Sequence, residues 1–142
     1  MNNALPADIA PSLDDLDRLA RAAWDALPDS LRAAAEGLEI RIADFASEDQ
    51  LQAVDLEDPF SLSGLYEGVA LPYRSLSDPV PDTPRVWLFR RAILDEWAER
   101  GNVGLGELVT HVLIHEVGHH FGWSDAEMDA LLAEAEAESE GR

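Results

Sequence analysis

Leu13, Leu16, Leu19, Ala20, Ala23, Trp24 and Leu27 fall at intervals of three and four, with charged residues between them. That spacing predicts an amphipathic helix with one buried face. Ser12 stands at its start as an N-cap, Asp14 and Asp15 occupy the first turn, where the helix dipole favours negative charge, and Pro28 ends it. Residues 1–11, with Pro6 and Pro11, read as a loose lead-in, and a second short helix is expected over residues 31–36, stopped by Gly37. Over residues 38–45 the period becomes twofold: Leu38, Ile40 and Ile42 alternate with Glu39, Arg41 and Ala43, as in a half-buried strand.

Ser47 and Gln50 are spaced as a capping box and open a short helix that runs to about residue 55. Residues 57–64 read as a loop, and residues 65–71 as a short strand weakened by Gly68. Four prolines make residues 72–84 an exposed loop. Arg85–Phe89 is the clearest strand after the first. Residues 92–100 form a helix ending at Gly101, and Leu105–Phe121 is a long, apolar helix ending at Gly122. A last helix starts near Ser124 and fades into an acidic tail over residues 136–142. Strands and helices do not alternate strictly, so the expected class is α+β. No segment repeats another.

Composition narrows the possibilities. A chain of 142 residues suits a single domain spanning 1–142, and 46% hydrophobic residues suffice for a core. The absence of cysteine excludes disulfides and thiolate metal sites, so a metal would need nitrogen and oxygen ligands. With 10 basic and 29 acidic residues the net charge is −19, which repels phosphate backbones and anionic lipid; neither nucleic acid nor membrane is an expected partner. The first residues lack a basic stretch followed by an apolar one, and no run approaches the roughly 18 apolar residues of a membrane span. A cytoplasmic location is the expectation.

All four histidines, His111, His115, His119 and His120, fall inside the long apolar helix. From His115 the chain reads His-Glu-Val-Gly-His, the H-E-x-x-H pattern in the helical setting it requires. At about 100° per residue, His115 and His119 lie about 40° apart around the axis and one turn apart along it, so both imidazoles reach one zinc ion. Glu116 stands about 60° to the side of His119, placed to move protons rather than to ligate. Gly122 can turn the chain back, and Asp125 then supplies a third, carboxylate ligand. A competing reading makes Asp125 a first-turn acid behind a Ser124–Glu127 capping box, with water or another carboxylate such as Asp129 as third ligand. His111 reads as a packing or outer residue, and His120 as structural or exposed, with a hydrogen-bonding role near the site as an alternative. Tyr66 reads as core or interface, or else as an oxyanion partner. Val86, Trp87 and Phe89 read as core, and Trp123 as a pocket wall or helix-end contact.

The whole string, H-E-x-x-H-x-x-G-x-x-D, resembles that of the Asp-zincins. More narrowly, Gly64-Leu65-Tyr66-Glu67-Gly68 together with His115 through Asp125 is similar to the bacterial minimal zincin-like metallopeptidase family, over roughly residues 30–130. The resemblance implies a minimal zincin-like domain, a small mixed sheet packed against helices that include the H-E-x-x-H helix. It implies Zn²⁺ as cofactor, His115, His119 and Asp125 as its ligands, Glu116 as catalytic base, and a peptide or protein substrate. The sequence departs from the metzincin pattern, which has histidine at the position of Asp125 and a later Met-turn; Met128 stands too close to form one. That departure keeps a second reading open, a zincin-fold binding protein with little or no catalysis. A third is an acidic docking protein that meets a basic partner.

Overall fold

Ser12 opens the first helix as its spacing requires. Its hydroxyl accepts from the Asp15 amide at 3.1 Å, and the Asp15 carboxylate accepts from the Ser12 amide at 2.7 Å. A computed structural model describes residues 9–69, 83–124, 126–130 and 133. Its elements are helices α1 (Leu13–Asp25), α2 (Asp29–Ala34), α3 (Glu48–Ala53), α4 (Arg90–Arg100) and α5 (Leu105–Phe121), and strands β1 (Glu39–Ala43), β2 (Gly64–Glu67) and β3 (Arg85–Phe89). A 3₁₀ turn covers Pro59–Ser61. Residues 126–130 are helical, where the last helix was expected.

The sheet is mixed, in the order β1-β3-β2. β3 runs parallel to β1, from Glu39 opposite Arg85 to Ala43 opposite Phe89, and antiparallel to β2, from Gly64 opposite Leu88 to Glu67 opposite Arg85. Alternation sorts its side chains to two cores. Ile40, Val86 and Leu88 join Leu16, Ala20 and Ala23 of α1 and Leu108, Val109, Val112, Leu113 and Val117 of α5. Leu65 and Phe89 face the other way, onto Ala46, Leu51 and Ala92. The class is α+β, and the chain is built as a small mixed sheet with helices against it.

Several boundaries differ from the expected ones, for local reasons. α2 starts at Asp29 because Pro28, at φ −56°, is its N-cap, and the chain has left the helix before Gly37 turns at φ +93°. β1 is shorter than residues 38–45, since the Asp44 carbonyl accepts from the Arg91 amide at 3.0 Å instead of continuing the ladder. α3 stops at Ala53, two residues before Asp55 adopts φ +56°. β2 begins at Gly64, inside the expected loop, and ends at Glu67 because Gly68 stands at φ +151°. α4 begins at Arg90, directly after β3. Arg90 ties that junction down: its guanidinium donates to the Pro11 carbonyl at 2.6 Å and to Asp44 at 2.9 Å. Most of the expected proline loop, residues 1–8 and the acidic tail lie outside the described residues. Among the described residues no helix is long and apolar enough to cross a membrane.

Candidate metal centre

α5 is apolar on nearly every side because it is enclosed by α1, α4, β2 and β3. Gly122 ends it at φ +72°, and the Trp123 amide closes back onto the Gly118 carbonyl at 3.0 Å. Two positions let other elements come close. A Cβ on Gly64 of β2 would lie 2.6 Å from Val112 and 3.1 Å from Glu116, so the strand backbone rests directly on the helix. A Cβ on Gly118 would lie 2.7 to 2.8 Å from three atoms of Met128. Met128 forms no Met-turn, yet it is fully buried and packs on the helix one residue before His119.

Between α4 and α5 lies an open cleft of about 200 Å³, lined by Ser63, Gly64, Glu96, Arg100, His111, Val112, His115 and Glu116. His115 and Glu116 are thus brought to one cavity. The Glu116 side chain is only 13% exposed, and burial pushes its carboxyl up to about 7. His119 is on the next turn, 56% exposed, with its Nε2 3.7 Å from the Glu116 carboxylate, beyond hydrogen-bond length. The His111 ring tilts over His115 at 4.6 Å between centroids. His111 is exposed rather than packed inside, although partial burial, His115 and Arg100 hold its pKa below the ordinary histidine value.

Buried polar atoms normally have partners. Nε2 of His115 is buried and has no hydrogen-bond partner among the described residues. A buried imidazole nitrogen, with a second imidazole one turn on, is the donor type that a nitrogen-preferring divalent cation takes. The donor set is incomplete among the described residues: no group of three histidine or carboxylate side chains there could hold a metal. Asp125 lies outside the described residues, and Asp129 is exposed and joins no such group. His115 lines the cleft, and His119 stands one turn further along α5 and outside that lining.

The remaining candidates fall elsewhere. His120 is 2% exposed, so the structural reading holds and the exposed one does not. It shares a hydrogen bond of 2.7 Å with the Tyr66 hydroxyl, and Tyr66 packs against the main core without lining the cleft. Trp123 stacks on Phe121 at 4.9 Å, as a helix-end contact and not a wall of the cleft. Trp87 is half-buried at the second core, and its indole donates to Glu67. Nothing in the residue pattern marks Glu96 and Arg100 as cleft residues. Their spacing, with Arg100 3.3 Å from Glu96, is that of an ordinary surface pair on one helix.

A family model described as a zincin-like metallopeptidase matches residues 35–135. The chain belongs to that family. The match runs from before β1 to beyond α5 and leaves α1 outside it. No curated protein matches the chain. Membership in the zincin-like family points to a hydrolase acting on peptides or proteins, and to zinc as the metal of the family in general.

Proposed function

We propose that the protein is a zinc-dependent peptidase, with His115, His119 and Asp125 as ligands and Glu116 as catalytic base. The observation that carries this reading is the buried Nε2 of His115, unpartnered among the described residues, beside a desolvated Glu116 in one cleft. Zinc, when bound, supplies Lewis acidity for the scissile carbonyl and makes water a nucleophile near neutral pH. Glu116, whose affinity for a proton is raised to the neutral range, both accepts a proton from that water and returns it to the leaving amine. Among the described residues β2 pairs only with β3, so its other edge can take an extended peptide. Gly64 belongs both to that strand and to the cleft, which brings such a peptide past Glu116.

A zincin-fold binding protein is the rival. The small cleft favours it, since pockets for ligands usually measure roughly 300–1,000 Å³. Metal analysis of protein purified without chelators, joined to cleavage of a diverse peptide library, separates the two. The peptidase reading expects zinc in both wild type and Glu116→Gln, with cleavage about 10²- to 10⁴-fold slower in the variant. Zinc with no cleavage by either form makes the protein a binder.

A further inference from the structure

Tyr66 and His120 are 54 residues apart in sequence and share the 2.7 Å hydrogen bond that joins β2 to the last turn of α5. The pieces around this bond match in spacing. Gly64 and Tyr66 stand two apart on β2, on one face of the strand and about 6.6 Å apart. Their counterparts on α5, Glu116 and His120, stand four apart, one turn and about 6 Å along the axis. A Cβ on Gly64 would meet Glu116, and Tyr66 reaches His120. Gly68, just past the end of β2, leaves the room the bond needs: a Cβ there would lie 2.7 Å from the Tyr66 hydroxyl oxygen and 3.0 Å from Cζ. The Gly-Leu-Tyr-Glu-Gly segment is therefore a fitting that mates with the histidine helix, its two glycines set by close approach and its tyrosine by a polar bond.

His119 gains little from packing, being 56% exposed, and α5 ends three residues later at Gly122. Its turn is held by its neighbours, Gly118 against Met128 on one side and His120 against Tyr66 on the other. We infer that Tyr66 and His120 are positioning residues: their hydrogen bond clamps the last turn of α5 to β2 and thereby fixes where His119 presents its imidazole. The inference rests on the proposed reading of His115 and His119 as metal ligands. Partners bonded directly to a metal ligand typically change metal affinity by about 10- to 100-fold, and a clamp acting through the adjacent residue is expected at the lower end of that range.

Cobalt(II) added to the full chain is the probe, because its visible bands report coordination geometry as well as binding. Tyr66→Phe keeps the ring and removes the hydroxyl; it is expected to weaken Co²⁺ binding by about tenfold and to shift or weaken the visible bands. Ile40→Val, a trimmed core residue on β1, controls for a general loss of stability, and its Co²⁺ affinity and spectrum are expected to stay at the wild-type values. His120→Asn should weaken binding at least as much as Tyr66→Phe, and the double variant no further than His120→Asn alone. Tyr66→Phe with wild-type affinity and spectrum overturns the inference and leaves the metal reading standing. So does Ile40→Val weakening binding as much as Tyr66→Phe. Wild-type protein that binds no Co²⁺, or His115→Ala that binds it as wild type does, overturns the metal reading and the inference with it.

Discussion

α1 and α5 lie against each other in one core, yet they treat polar groups in opposite ways. At the start and middle of α1, polar groups pair with one another. Ser12 and Asp15 cap one another, Arg18 pairs with Asp15, and Arg21 with Asp17. Hydrogen bonds from Ser12 hold the Asp15 carboxyl below its ordinary value. On α5 the Glu116 carboxyl is pushed up to about 7 by burial, and the Nε2 of His115 has no partner among the described residues. Matched groups on α1 stabilise the fold. Unmatched groups on α5 cost stability, which is what a site kept for something outside the chain looks like.

The contrast is broken most directly at Glu116. Its folded pKa lies above the ordinary 4.5, so its contribution to stability is complete below about pH 4.5 and is lost as the pH rises through about 7. In metal-free protein at pH 8, Glu116→Gln should be more stable than wild type by up to about 3 kcal/mol, and the gap should close toward pH 5. Urea unfolding across that range reads it; a gap that ignores pH contradicts a desolvated carboxylate. Next comes Gly64→Ala, whose methyl would push β2 away from Val112 and Glu116. A loss of about 1–3 kcal/mol is expected in the same unfolding assay, together with weaker zinc binding. The smallest effect belongs to α1: Ser12→Ala should cost about 1 kcal/mol of stability and leave zinc affinity untouched. If the cap variant changed zinc affinity as Gly64→Ala does, the two helices would not differ as described.

The parts legible in the sequence are those written locally. α5 has the expected bounds because its apolar run and Gly122 agree, the cap at Ser12 forms, and so does the capping box at Ser47. What escaped depends on elements meeting in space. The helical period separates His120 from His119, but only the arrival of β2 decides which of them is buried. Glu96 and Arg100 look like any surface pair until α4 packs beside α5. Gly64 looks like loop until the strand rests on Glu116. Met128, too near in sequence for a Met-turn, still reaches under the helix, because Gly118 leaves a gap there.

Titrating zinc into the full chain and into His115→Ala, by calorimetry after the metal has been stripped, tests the central claim most directly. One zinc per chain in the wild type, with affinity reduced more than about 100-fold in the variant, is the expected result. Equal affinities, or no binding by either chain, would mean that the buried nitrogen of His115 is not kept for a metal.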